Sequence, residues 1–282
     1  MDELQPDLLT SIVAATRTAV YERERLWPLK KLLSDVKKVE RSEYRFWEAV
    51  NSLGKTNVIA ECKRRSPSRG ILHADYHPGE IAKSYQAHGA VAISVLTEPS
   101  FFGGSLHHLM EVRSAVTIPI LRKDFIVNSY QIFEAAAAGA DAVLLIVAAL
   151  KDDEICSLSN QATELGMSVL VEVHDESELE RALAAGASII GVNNRNLRTL
   201  KVDLPASRRL IEGMPPEVVA VAESGLRTSS DLVDLSNRGY RAFLIGERLM
   251  TTDDPGLTLG KLLAGTPAVC QPQHDAISEV ED

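Results

Sequence analysis

Cysteine is scarce in this sequence: Cys62, Cys156 and Cys270 are the only three. An odd, scattered set builds no disulfide framework and no CxxC metal signature, and reads as reduced thiols of a cytoplasmic protein. Runs of Lys and Arg are missing and the net charge is -9, which argues against nucleic acid as the main partner. No apolar stretch reaches the roughly 18–20 residues that span a bilayer. The longest, residues 135–150, is broken by Gly139 and Asp141, so no membrane association is expected. Met1-Asp2-Glu3 opens without a basic segment leading into an apolar run, and no secretory leader is expected. No metal site is expected either. His107 and His108 are adjacent and face different ways on a helix, and His73 with His77 makes no convincing ligand set. Gly54-Lys55-Thr56 mimics the end of a P-loop, but Ala49 stands where the loop's first glycine belongs, and a strand rather than a helix follows.

What the chain does have is rhythm. From Asn57 onward, short β-branched runs alternate with longer amphipathic segments. The runs are Val58-Ile59-Ala60, Val91-Ala92-Ile93-Ser94-Val95-Leu96, Ile118-Pro119-Ile120-Leu121, Ala142-Val143-Leu144-Leu145-Ile146, Ser168-Val169-Leu170-Val171-Glu172-Val173, Ile189-Ile190-Gly191-Val192, Val218-Val219-Ala220-Val221 and Ala242-Phe243-Leu244-Ile245. Nearly continuous apolar character suits strands buried on both faces of a parallel sheet. The segments between them read as crossover helices. Several end in the same punctuation: His88-Gly89-Ala90, Ala138-Gly139-Ala140, Ala185-Gly186-Ala187 and Arg238-Gly239-Tyr240. A glycine there is a natural left-handed C-cap. Eight such units without a dinucleotide fingerprint favour a closed α/β (β/α)8 TIM barrel, a fold of roughly 250 residues. The expected organisation is an N-terminal helical extension over residues 1–50 that packs on the barrel, with a charge-rich connector from Lys37 to Arg45. The barrel follows over 51–265, then an acidic, disordered tail over 266–282.

Polar residues crowd the ends of six of these runs, and a barrel's active site lies at the C-terminal ends of its strands. The first run continues into Glu61-Cys62-Lys63, whose two charged residues share one face. The third continues into Arg122-Lys123-Asp124-Phe125, and the fifth carries Glu172. The sixth ends in Asn193-Asn194-Arg195, the seventh in Glu223-Ser224-Gly225, and the eighth in Gly246-Glu247. A single charge of this kind is often just paired or solvated; six in register point to one reactive rim. The small-residue turns Ser224-Gly225 and Gly246-Glu247 let backbone N–H groups approach an anion, which suits a phosphate grip.

These strand ends resemble a known family, indole-3-glycerol phosphate synthase. The stretch Glu61-Cys62-Lys63-Arg64-Arg65-Ser66-Pro67-Ser68 is similar to its E-x-K-x-x-S-P-S signature. Ser94-Val95-Leu96-Thr97-Glu98, Phe102-Gly103-Gly104-Ser105, Pro119-Ile120-Leu121-Arg122-Lys123-Asp124-Phe125, Val171-Glu172-Val173-His174, Gly191-Val192-Asn193-Asn194-Arg195-Asn196-Leu197, Ala222-Glu223-Ser224-Gly225 and Phe243-Leu244-Ile245-Gly246 also match. Cys62 and Arg64-Arg65 depart from the usual residues, at positions with no expected chemistry.

The resemblance implies closure of a pyrrole ring on 1-(o-carboxyphenylamino)-1-deoxyribulose 5-phosphate, with loss of carbon dioxide and water, in tryptophan biosynthesis. It implies no cofactor and a small phosphorylated substrate, with association with other tryptophan-pathway enzymes as a further possibility. By resemblance, Lys123 is the general acid at the ketone and Glu172 the base or dehydration partner. Lys63 lies near the phosphate and supplies a proton in dehydration, and Glu61 orients it. Asn193 holds the substrate, and Arg195 pairs with the anthranilate carboxylate. Ser224, Gly225, Gly246 and the backbone of Glu247 contact phosphate, assisted by Ser66. Phe102 and Phe125 wall the aromatic ring, and Glu223 and Leu197 complete the lining. Two other readings stay open from the residues alone: a Schiff-base aldolase or sugar-phosphate isomerase using Lys123 as the imine-forming lysine, and a catalytically silent scaffold.

Overall fold

The structure is a computed structural model that describes residues 7–36, 44–203 and 205–266. Most of the charge-rich connector and the acidic tail from residue 267, with Cys270, lie outside the described residues. Eight parallel strands close into a barrel: β1 (Asn57–Cys62), β2 (Ala92–Leu96), β3 (Ile120–Lys123), β4 (Ala142–Ile146), β5 (Ser168–Val173), β6 (Ile189–Asn193), β7 (Val219–Glu223) and β8 (Ala242–Ile245), which returns to β1. Each of the eight apolar runs overlaps one strand of the barrel. Four strands run further than the apolar residues do, so that Glu61, Lys123, Asn193 and Glu223 belong to the ladder itself. The third strand starts after Pro119, which has no N–H to give; its carbonyl accepts from Ile93 N at 2.9 Å.

Among the described residues, three helices precede the barrel: α1 (Leu8–Leu26), α2 (Leu29–Val36) and α3 (Arg45–Val50). The remaining helices are α4 (Pro78–Ala87), α5 (Pro99–Phe102), α6 (Leu106–Ala115), α7 (Ser129–Ala138), α8 (Asp152–Glu164), α9 (Glu176–Ala184), α10 (Pro205–Leu210), α11 (Ser229–Asn237), α12 (Glu247–Met250) and α13 (Pro255–Ala264). The glycine punctuation acts as its position suggests. Gly139 closes α7 at φ 86°, and its N–H reaches the carbonyls of Ala135 and Ala136.

Strand periodicity sorts the core into two shells. Val58, Val95, Val143, Val171, Ile190, Ala220 and Phe243 point outward and pack in one buried cluster with the helices. Ile59, Leu121, Leu144, Leu170, Val221 and Leu244 point inward and form a second. Helix α3 joins this inner cluster through Phe46 and Val50 at the N-terminal mouth, where Asn57 Nδ2 donates to the carbonyls of Val50, Ser52 and Arg241. Helix α1 joins it at the opposite mouth. Its Leu9 and Ile12 pack with Phe125 and Ile146, and Arg17 donates to Val127 O at 3.2 Å. Burying Leu9 and Ile12 contributes about 1.5–3 kcal/mol each. The exposed Asp7–Arg198 ion pair beside them is of a kind worth about 0–1 kcal/mol, so apolar contact is what seats the helix.

Candidate active site

The inward positions continue beyond the apolar residues. Two residues past Ile59, Leu121, Leu170 and Val221 stand Glu61, Lys123, Glu172 and Glu223, and the period of two turns each of them into the barrel. Their level follows from the register. Counting across each pair of strands, Glu61 is level with Ser94 and that with Leu121, while Glu172 is level with Gly191 and that with Val221. The slant of a closed barrel moves a level up by two residues for every second strand, which brings Lys123 beside Glu61, and Glu223 beside Glu172. A barrel layer takes four side chains from alternate strands, usually branched aliphatic ones. Here the uppermost such layer is three glutamate carboxyl groups and one lysine.

Lys123 Nζ bridges that layer. It lies 2.8 Å from Glu172 Oε2 and 3.3 Å from Glu223 Oε2. Lys63, just past β1, pairs with Glu61 Oε1 at 2.7 Å. Asn193 Nδ2 donates to Glu172 Oε1 at 3.0 Å, while Asn193 Oδ1 accepts from Arg195 N at 2.9 Å. Asn193, expected to hold substrate, is therefore engaged by protein at both ends of its amide and fixes Glu172. The imidazole of His174 completes the surroundings, with Nε2 at 3.5 Å from Glu172 Oε1.

This crowding sorts the protons. Burial works against the ammonium of Lys123, but the carboxylates of Glu172, Glu223 and Glu61 outweigh it, and its pKa is raised above the lysine range. Burial also opposes the charge on Glu172, yet Lys123, His174 and the Asn193 hydrogen bond hold its pKa below the ordinary carboxylate range. Glu223 loses this competition. It is further from Lys123, and no hydrogen bond reaches its Oε1. Burial first, then the neighbouring Glu172 and Glu61 against the pull of Lys123, push its pKa up to about 8. Pairs of like groups driven apart in this way mark acid–base sites. An imine-forming lysine must be a neutral amine when substrate arrives, whereas these neighbours favour the ammonium, the form in which a general acid waits.

Two glycines make room for the carboxylates. A Cβ on Gly191 would overlap Glu223 Oε1, and a Cβ on Gly246 would overlap Glu61 Oε1. The sequence suggested only close phosphate approach for Gly246; in the structure its missing side chain is the space that Glu61 occupies. The turn after β7 runs through two consecutive left-handed residues, Ser224 at φ 64° and Gly225 at φ 79°. Asn194 holds this turn: its Nδ2 donates to the carbonyls of Glu223 and Ser224, both at 3.1 Å, and its Oδ1 accepts from Ser207 N and Oγ. The strand end bearing Lys123 is braced from outside. Buried Arg122 donates to Thr97 Oγ1 and Gln131 O and pairs with Asp124 and Glu134, and Glu134 in turn holds Arg23 of α1 at 2.6 Å.

Above the layer opens a cavity of about 880 Å³, which all fifteen sequence-derived site residues line. Phe102 and Phe125 face each other at 6.1 Å, tilted by 36°. Glu98 positions Phe102 by accepting from the N–H groups of Ser100, Phe101 and Phe102. Ser66, in the hairpin after β1, is buried, and Leu197 is half-buried. Glu247, expected to act by its backbone, uses its side chain as a tie: it pairs with Arg69 at 2.8 Å and Arg195 at 3.0 Å, joining the loops after β1, β6 and β8. His174, Asn194 and Arg69 were not singled out by sequence reasoning. The first two stand inside matched motifs, and only their packing reveals a task. Among the described residues, no group of three or more His, Cys, Asp or Glu is placed to hold a metal, and no helix is long and apolar enough to cross a membrane.

A buried layer of opposed acid and base groups at the mouth of a (β/α)8 barrel defines an acid–base enzyme of that fold class. Solved structures share the fold at low identity. A thiamine phosphate pyrophosphorylase from Pyrococcus furiosus aligns with TM-score 0.56 and 16% identity, over 75% of this chain and 96% of the other. An N-acetylmannosamine-6-phosphate 2-epimerase from Clostridium perfringens aligns with TM-score 0.54 and 14% identity, over 70% and 88%. Sequence narrows the class. Relatives named indole-3-glycerol phosphate synthase are 43% identical in Polaromonas sp., over 91% of this chain and 98% of theirs. They are 50% identical in Nocardioides sp., over 88% and 95%, and 53% in Rhodococcus jostii, over 76% and 80%. The family model for indole-3-glycerol phosphate synthase matches residues 9–262, and the chain belongs to that family.

Proposed function

We propose that this chain closes the pyrrole ring of 1-(o-carboxyphenylamino)-1-deoxyribulose 5-phosphate, with loss of carbon dioxide and water, to give indole-3-glycerol phosphate for tryptophan biosynthesis. The observation that carries the assignment of roles is the bridging of Lys123 Nζ between Glu172 and Glu223 on the cavity floor. A carbon–carbon bond to a ketone carbon leaves charge on the ketone oxygen, and a proton donor there lowers the barrier. Lys123 is the donor: its acidic neighbours, Glu172 foremost, keep it an ammonium until it is used. Decarboxylation returns an electron pair to the ring, after which dehydration needs an acid for the departing hydroxyl and a base for a ring proton. Lys63 is the acid of that step, held by Glu61, and Glu172 is the base. Phe102 and Phe125 wall the anthranilate ring, with Leu197 beside it, and Arg195 takes the carboxylate, whose planar geometry suits a guanidinium. Backbone N–H groups of Ser224, Gly225, Gly246 and Glu247 hold the phosphate, with Ser66 alongside. A cytoplasmic location and association with other tryptophan-pathway enzymes belong to the same proposal. Fluorescence detection of indole-3-glycerol phosphate from purified protein and the ribulose phosphate tests it. Absence of product from folded protein would overturn the assignment.

A further inference from the structure

Glu172 has a second buried neighbour besides Lys123. His174 lies two residues further along the chain, past the end of β5. Its Nδ1 is 3.0 Å from Glu178 Oε2, and its backbone N–H donates to the same oxygen at 2.8 Å. Glu178 therefore fixes the ring and accepts the Nδ1 proton. Nε2 then faces Glu172 Oε1 at 3.5 Å, is buried, and has no hydrogen-bond partner. With Nδ1–H committed to Glu178, a neutral ring would aim a lone pair at a carboxylate, whereas a doubly protonated ring aims an N–H there. Across Glu172 lies the Lys123 ammonium; the other charged groups around the imidazole are the carboxyl groups of Glu172 on β5, Glu178 and Asp175 at the start of α9, and Glu223 on β7. The carboxyl groups raise the imidazole's pKa against its burial.

We propose that His174 is a positioning residue for Glu172: braced by Glu178, it presents an imidazolium to the carboxylate from the side opposite Lys123. This rests on Lys123 as acid and Glu172 as base. Once Lys123 gives its proton to the substrate, the layer loses its central cation, and Glu172 is left facing Glu61 and Glu223. A second cation outside the reacting geometry keeps Glu172 ionised through that step, so that it remains able to accept a proton. Asn193 supplies a dipole to the same carboxylate but no charge.

The test compares pH profiles of kcat for wild type, His174→Gln, Glu178→Gln and Glu172→Gln, with circular dichroism to establish folding. Losing an opposite charge at this range moves a carboxylate's titration up by about one to three units. The acid limb of His174→Gln should therefore rise to higher pH, making its deficit at pH 5 at least about tenfold larger than at pH 8, with little change in KM. Glu178→Gln should shift the same limb by less. If His174→Gln fails to fold, the shift in Glu178→Gln carries the test, supported by imidazole NMR titration of wild type, where His174 should stay protonated above the ordinary histidine range. A uniform loss of kcat with an unmoved acid limb in folded variants would overturn the inference, as would a histidine that titrates in or below its ordinary range. If Glu172→Gln keeps wild-type kcat, the assignment of the base is what fails, and the role of His174 falls with it.

Discussion

Glu223 and Gly191 fit together as a carboxylate and a missing methyl: a Cβ on Gly191 would overlap Glu223 Oε1 and lie 3.2 Å from Leu170 Cδ1. Gly191→Ala should therefore displace Glu223 from Lys123. Forcing one extra carbon into a packed interior costs about 1–3 kcal/mol, and kcat should fall along with Tm. Thermal melts and steady-state assays of the same preparation check this. Unaltered values for both would mean that the carboxylate moves aside freely.

Lys123→Ala should abolish ring closure and leave the fold intact. A missing general acid costs on the order of 10²–10⁴ in rate. The buried carboxylates also lose their bridging cation, so the variant should be less stable at pH 8 than at pH 5, where more of them are protonated. Near-normal kcat in the purified variant would remove Lys123 from the acid role.

Glu172→Gln should lower kcat far more than it raises KM. The exchange keeps shape and removes the charge, and so separates proton transfer from packing. The opposite pattern, an intact kcat with a large rise in KM, would assign Glu172 to substrate binding.

Much of this site was legible in the sequence, because the apolar runs mark the strands and the residues that break their pattern mark the rim. The alternation of two carries Ile59 to Glu61 and Leu121 to Lys123 on the inner face. It does not say that Glu61, Lys123, Glu172 and Glu223 share one level. That depends on how far each strand slides past its neighbour, which hydrogen bonding between distant segments sets. Gly191 and Gly246 were opaque for the same reason, since the atoms they leave room for come from other strands. His174 and Asn194 read as ordinary polar residues until Glu178 and the turn after β7 are packed against them.

The phosphate grip makes a distinct prediction. Gly225 sits at φ 79°, where a β-branched residue is strained, and a side chain there would also block close approach of an anion. Gly225→Val should weaken binding of indole-3-glycerol phosphate and of inorganic phosphate as a competitor. Binding of a dephosphorylated product analogue should change much less. Calorimetric titration of these ligands decides the matter; equal losses for phosphorylated and dephosphorylated forms would move the anion site elsewhere on the rim.

Glu223 links the site to stability. Its folded pKa, about 8, lies above the ordinary 4.5 of the unfolded chain. Between those values the folded protein keeps a proton that the unfolded chain has released, so this group's contribution to stability falls as pH rises through the window. Glu223→Gln removes that dependence. The variant's Tm relative to wild type should be several degrees more favourable at pH 8.5 than at pH 5, at about 2–4 °C per kcal/mol for a domain near this size. A difference from wild type that is identical at both pH values would assign the pH dependence to other groups.

Glu247 already occupies the guanidinium of Arg195, and through Arg69 it also holds the loop after β1. A ligand carboxylate that takes Arg195 therefore enters by exchange, one carboxylate leaving as another arrives. The net free energy is the difference between two similar ion pairs, and added salt weakens both sides of the balance, so affinity at this position should vary little with ionic strength. The same trade releases the loop after β6 from Glu247, while the Arg69–Glu247 pair goes on joining the loops after β1 and β8, so occupancy of the cavity loosens one strand of the tie and leaves the other.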